Sequence, residues 1–281
     1  MIDSTKLTIA QAGTLKLDGG AMFGVVPKSL WSRKKDADEK NLCTWAMRCL
    51  IVERGSHIIL IDTGIGKKQG DKFMSHFHPQ GPDILQAVIN AGYQPDQITD
   101  VLLTHLHFDH VGGALMIDDQ GRTVPTFPNA TYWSNKRHYD WAYNPNPREK
   151  ASFLKENFVP LREEGVLNFV EEGDRVDWIG GIQLQFVYGH TEAQMLPIIP
   201  YMDRKIIYCA DLMPSSDHLG LPYVMAYDIR PLDTIKEKEA IIQEALSEEH
   251  ILFFEHDETI AAGTLRIGDN GKLSIDTAID F

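Results

Sequence analysis

Residues 101–113 read Val-Leu-Leu-Thr-His-Leu-His-Phe-Asp-His-Val-Gly-Gly, and no other stretch restricts this chain so strongly. Val101-Leu102-Leu103 has the character of a buried strand. His105, His107, Asp109 and His110 then take four of the next positions. Burying so many polar groups without compensation costs several kcal/mol, and a divalent cation is the usual compensation. Side chains alternate along an extended segment, so His105 and His107 point the same way and can reach one ion. A turn at Phe108 brings Asp109 and His110 side by side, where they can serve a second.

The remaining ligands of such a site must come from other strand ends, where a scaffold presents its chemistry on loops. Three residues stand there. His190 follows the apolar run Ile182–Val187, Asp211 follows Lys205–Tyr208, and His256 follows Ile251–Phe254. Taken singly, each is explained as well by a structural histidine or a cap. Taken together with residues 105–110, they form a constellation. Neutral imidazoles and carboxylates suit zinc and similar borderline ions. Two ions could share one water and lower its pKa towards ~7. Asp109 could steer that water and carry a proton to the leaving group. No Ser-His-Asp or Cys-His arrangement is apparent.

The pattern resembles the metallo-β-lactamase superfamily of hydrolases. The resemblance rests on Thr104–Gly113, then Gly189-His190-Thr191, then Ala210-Asp211, then a late His256, with the turn Asp62-Thr63-Gly64 also recurring there. It implies an α/β fold, the αββα metallo-β-lactamase sandwich, with two mixed β-sheets flanked by helices and a dinuclear site at one edge. It also implies that His105, His107 and His190 hold the first metal, that Asp109, His110 and His256 hold the second, and that Asp211 bridges both. Two divalent ions are expected, zinc first, with manganese, iron and cobalt left open.

Spacing narrows the branch. The gap of 80 residues from His110 to His190 is longer than glyoxalase II-type enzymes have. Asp211 departs from the lactam-cleaving members with a cysteine at the second metal, and His107 from the flavodiiron type. The loop Asp18–Trp31 resembles the branch of N-acyl homoserine lactonases and methyl parathion hydrolase-like phosphotriesterases. The expected activity is therefore opening of a lactone or ester. A phosphotriesterase or arylesterase of the same branch is one alternative, and a mononuclear iron oxygenase like the persulfide dioxygenases another. The chain departs from the branch twice: Gly-His-Thr-Pro-Gly is here Gly189-His190-Thr191-Glu192-Ala193, and Pro214 stands where many lactonases place a tyrosine. Tyr223 and Tyr227 could supply the missing phenol. Met22, Phe23, Trp31, Phe73 and Phe77 are expected as an apolar pocket wall, with His76 and His78 at its mouth and His57 and His250 at the surface.

The net charge of −13 is spread along 281 residues. That argues against nucleic acid, which needs a basic face. The expected partner is a small molecule with an apolar portion, and a homodimer stays open. No apolar run approaches a membrane span. The start, MIDSTKLTIAQAG, has no charged segment followed by an apolar one, so no signal peptide is expected. Cys43, Cys49 and Cys209 lack CxxC spacing and are read as reduced, buried thiols in a cytoplasmic protein.

The chain is expected to form one domain over residues 1–281. Residues 4–18 suggest a first strand pair, and 18–27 an apolar, glycine-rich loop that exposes Met22 and Phe23. Thr44–Val52 and His57–Ile61 read as a hairpin, Gly66–Gly81 as irregular, and Pro82–Ala91 as a helix. Residues 129–134 suggest a strand, Asn135–Tyr143 a helix, Ala151–Glu164 helical character, and Val166–Val170 a strand. Asp174–Trp178, Ile182–Val187, Lys205–Cys209 and Ile251–Phe254 are expected as short strands. Asp233–Leu246 is expected as an amphipathic helix and Gly263–Ile275 as a hairpin.

Overall fold

A computed structural model describes residues 5–281. Its strands in chain order are β1 (Lys6–Asp18), β2 (Leu42–Arg54), β3 (His57–Ile61), β4 (Asp100–Leu102), β5 (Leu115–Ile117), β6 (Thr123–Pro125) and β7 (Thr131–Asn135). They continue as β8 (Leu167–Val170), β9 (Arg175–Asp177), β10 (Gln183–Val187), β11 (Gln194–Tyr201), β12 (Arg204–Tyr208), β13 (Ile251–Phe253), β14 (Ala262–Ile267) and β15 (Leu273–Ile279). One sheet has the order β1-β2-β3-β4-β7-β8, the other β15-β14-β13-β12-β11-β10-β9, and β5-β6 form a separate ribbon. Both sheets are mixed: β3-β4-β7-β8 and β12-β13 pair in parallel, while the flanking pairs are antiparallel. Helices flank both sheets, giving the αββα sandwich that the resemblance implies.

Central strands buried on both faces carry unbroken apolar runs rather than alternation. In β2, Cys49 and Ile51 pack with Val101 and Leu103 and with the helix Ile84–Asn90. Leu50 and Val52 point the other way, into a cluster shared with Leu184, Leu196 and Ile207 of the second sheet. The helix Pro231–Ser247 adds Ile241, Ile242 and Ala245 to that cluster. Its start at Pro231 suits a position whose N–H would be unpaired in any case.

Several expectations are corrected. Residues 6–18 form one long strand, not a pair (residue 4 lies outside the described residues). Gly13 makes a bulge there with φ of +80°, and a Cβ would lie 2.2 Å from the Gln80 carbonyl. Gly19–Phe23 is a short helix capped by Asp18, whose carboxylate accepts from the Ala21 N–H at 2.8 Å. This turns Met22 and Phe23 inward, and both are buried. Asp71–Phe77 is helical within the stretch expected to be irregular, and Ala151–Glu164 yields only the short helix Val159–Glu163 and a 3-10 turn. Strand β11 escapes sequence reasoning because Pro197 and Pro200 argue against a central strand. Its side chains are nonetheless buried through Ile199. All three cysteines are free and buried. Among the described residues, no helix is long and apolar enough to cross a membrane.

Lys238 is fully buried on the helix Pro231–Ser247. Its ammonium donates to the carbonyls of His218, Gly220 and Tyr223 at 2.8–3.0 Å, stapling the segment that leads into residues 224–227. Lys238→Met should strand those acceptors at a cost of roughly 3 kcal/mol. Thermal unfolding followed by circular dichroism should then show a midpoint lowered by about 6–12 °C. An unchanged midpoint would mean that the carbonyls find other donors.

Candidate metal centre

Four strand ends converge where the two sheets meet. His105 and His107 follow β4, His190 follows β10, Asp211 sits in the 3-10 turn after β12, and His256 follows β13. The short helix Phe108–Val111 turns Asp109 and His110 towards the same point. All seven side chains are buried and form two groups: His105, His107, His190 and Asp211, and Asp109, His110 and His256. The structure therefore brings together every residue expected in the constellation.

The outer partners of these rings reveal what the inner face requires. His190 Nδ1 lies 2.9 Å from Asp228 Oδ1, and His107 Nε2 lies 3.7 Å from Glu149 Oε1. His256 Nδ1 donates to the Ala46 carbonyl at 2.7 Å. His110 Nδ1 faces Asp62 Oδ2 at 3.1 Å and Glu255 Oε2 at 3.2 Å, and His105 Nδ1 faces Thr104 Oγ1 at 3.1 Å. In neutral rings, hydrogens on those outer nitrogens leave the inner nitrogens bare. Yet the inner nitrogens point at one another: His107 Nδ1 is 3.1 Å from both His105 Nε2 and His190 Nε2, and His110 Nε2 is 3.2 Å from His256 Nε2. Lone pairs facing lone pairs at that distance call for a cation between them. Outer partners of this kind orient metal-bound histidines.

Asp211 joins the two groups. Its Oδ2 lies 3.2 Å from His190 Nε2 and 3.9 Å from His105 Nε2, while its Oδ1 lies 3.2 Å from His256 Nε2 and 3.5 Å from His110 Nε2. Oδ1 is buried without a hydrogen-bond partner among the described residues. The donor set thus fits metal, and the surrounding carboxylates favour positive charge at this point. Burial lowers His190 and His256, but Asp211 and the neighbouring carboxylates outweigh it and raise them to about 10 and about 9. Burial raises Asp211, but His110, His190 and His256 outweigh it and hold it well below the usual carboxylate range. His105 is pushed well down by burial and by His110 and His107.

Backbone strain gathers at the same place. Asp62, Ala193 and Ala210 adopt left-handed φ values of +57°, +53° and +41° without being glycine. Such residues cost on the order of 1–3 kcal/mol each and persist where the surroundings hold them. Ala193 accounts for one departure from the branch pattern, since the usual glycine would occupy this conformation freely. Glu192, in place of the usual proline, is buried between Arg137 and Arg230 and accepts from Arg230 at 2.5 Å.

A cavity of about 390 Å³ opens over the centre. Leu17, Met22, Phe77, Phe108 and Met225 form its apolar wall; Arg148, Glu149 and Tyr227 add polar groups, and His107, Asp109, His190, Asp211 and His256 line its floor. The expected wall is thus present at Met22 and Phe77 and corrected elsewhere. Phe23 is core, stacked on Trp31 at 5.3 Å and on His218 at 4.9 Å. Tyr223 lines a separate cleft, and Phe73 packs behind Phe77 and Phe108. His76 and His78 are exposed and do not line the cavity. His57 is half-exposed beside Asp100, but His250 is buried rather than at the surface.

Sequence reasoning missed Glu149, Asp228, Glu255 and His138. Glu255 carried one readable signal, standing directly before His256 at the end of an apolar strand. Asp228 and Glu149 lie in loops with no local pattern.

Comparison with known proteins follows the same lines. Residues 48–256 match the profile of the Metallo-beta-lactamase superfamily. An N-acyl homoserine lactonase of Bacillus thuringiensis is 25% identical over 232 residues, covering 77% of this chain and 82% of the relative. A probable metal-dependent hydrolase from Staphylococcus aureus superposes with a TM-score of 0.86 at 29% identity, over 99% of this chain and 98% of that one. AidC, a dizinc quorum-quenching lactonase in complex with the product N-hexnoyl-L-homoserine, superposes with a TM-score of 0.79 at 18% identity, over 100% of this chain and 97% of that one, a likeness of fold.

Proposed function

Taking as premise that this chain belongs to the metallo-β-lactamase superfamily of metal-dependent hydrolases, we propose that it opens a lactone or ester bond at a dinuclear centre. The observation that carries the reading is the pair of converging nitrogen sets joined by the two oxygens of Asp211. His105, His107 and His190 would hold one ion; Asp109, His110 and His256 the other; Asp211 both. When bound, two divalent ions supply a water of lowered pKa and Lewis acidity towards the scissile carbonyl.

The chain's own residues would do the rest. Asp109 lines the cavity, with Oδ2 3.9 Å from His256 Nε2 and 4.0 Å from His110 Nε2, so its carboxylate is placed to take up a proton and pass it to the leaving oxygen. Tyr227 is 37% exposed where it lines the cavity, yet partial desolvation, with Asp109, Asp18 and Asp211 nearby, pushes its phenol up. It stays protonated and can donate a hydrogen bond to the developing oxyanion, the role left open by Pro214. The wall of Leu17, Met22, Phe77, Phe108 and Met225 suits an acyl chain and excludes water from that side. The similarity to an N-acyl homoserine lactonase supports the lactone among possible bonds.

Purified protein loaded with zinc, manganese or cobalt should be assayed on acyl homoserine lactones, aryl esters and phosphotriesters. Turnover should be highest on lactones with a medium or long acyl chain. Phosphotriester cleavage without lactone opening would move the chain to the other arm of the branch. One iron per chain with persulfide oxidation and no hydrolysis would overturn the reading.

A further inference from the structure

His138 is fully buried, lies on none of the ligand loops, and touches two of them. The Leu106 N–H donates to its Nε2 at 2.8 Å, and its Nδ1–H donates to the Glu192 carbonyl at 2.5 Å. Leu106 lies between His105 and His107; Glu192 lies two residues after His190. One ring thus spans the gap between the loops that carry the three histidines of the first group. Only the neutral Nδ1–H tautomer satisfies both partners, because a backbone N–H needs an acceptor and a carbonyl needs a donor. Asn135 braces the same span: its Oδ1 accepts from the His138 N–H, and its Nδ2 donates to the Ala193 carbonyl, both at 2.8 Å. Phe153 packs on His107 and His138 together, with ring centroids at 4.7 and 5.7 Å. The second group is held differently, through Asp62, Glu255 and the Ala46 carbonyl.

We infer that His138 is a positioning residue for the first metal alone: it sets the separation of His105 and His107 from His190, and so the affinity of that one ion. The inference rests on the dinuclear reading above.

The probe is cobalt(II), titrated into metal-stripped wild-type protein and followed by its visible absorption. Wild type should take up two equivalents. His138→Ala should weaken one of them by about 10- to 100-fold, the range seen when an outer partner of a metal ligand is lost, and move the other by less than about threefold. His138→Gln keeps an acceptor for Leu106 and should weaken the same equivalent less; it also serves if the alanine variant does not fold. Both equivalents weakened alike, or neither, in a folded variant would overturn the inference. Wild type taking up fewer than two equivalents would instead overturn the dinuclear reading beneath it. A measurement on unaltered protein needs no variant: nitrogen-15 NMR of the His138 ring at pH 7 should show hydrogen on Nδ1 and a bare Nε2. Hydrogen on Nε2 would overturn the inference.

Discussion

Replacing Asp211 by alanine should strip metal from both groups and lower turnover at least about 100-fold, beyond what loss of an outer partner costs a metal site. Among the described residues, no other side chain puts one oxygen 3.2 Å from a nitrogen of the first group and the other 3.2 Å from a nitrogen of the second. Without it, His190 Nε2 and His256 Nε2 lose their shared carboxylate, and the centre loses a negative charge in a buried setting where each charge counts heavily. Asp211→Asn keeps the shape and removes the charge, so its metal content should fall between wild type and alanine. Metal analysis of the purified variants beside steady-state rates decides the matter. Two retained equivalents with a rate near wild type would show that another residue makes the bridge.

Removing the metal should also destabilise the whole fold. An ion held in the native state alone stabilises it by RT ln(1 + [L]/Kd), about 4 kcal/mol at a free concentration roughly 1,000 times Kd. For a chain of this size that corresponds to a drop of roughly 8–16 °C in unfolding midpoint on treatment with a chelator. The direction follows from the geometry: five ring nitrogens face one another across about 3 Å, and Asp62, Asp228 and Glu255 are fully or almost fully buried behind them. Calorimetry with and without chelator, followed by re-addition of zinc, measures the effect. A shift under about 2 °C would mean that the groups are satisfied without an ion.

The inner residues of the centre were legible in the amino-acid sequence because each breaks a local rule. Histidines and aspartates directly after apolar strands have no place in a core, and the alternation at 105 and 107 gives their common direction. The outer partners break no such rule. Glu149 and Asp228 gain their roles only when distant loops are folded together, so no window of sequence contains them. The place of Phe23 is hidden in the sequence for a related reason. Its glycine-rich surroundings suggest an exposed loop, whereas the Asp18 cap winds them into a helix and turns the ring towards Trp31 and His218. Strand β11 shows burial overriding proline, a balance that local propensity cannot weigh.

The staple at Lys238 bears on how such a chain could acquire new substrates. The segment it grips continues into Met225 and Tyr227 at the cavity, while the histidine loops are braced separately through His138 and Asn135. The cavity wall and the histidine loops therefore hang from different supports. Exchanges along residues 219–226 can reshape what the cavity accepts while leaving Tyr227, Asp228 and the braces of the centre in place, so the apparatus for bond cleavage survives the exploration of new substrates.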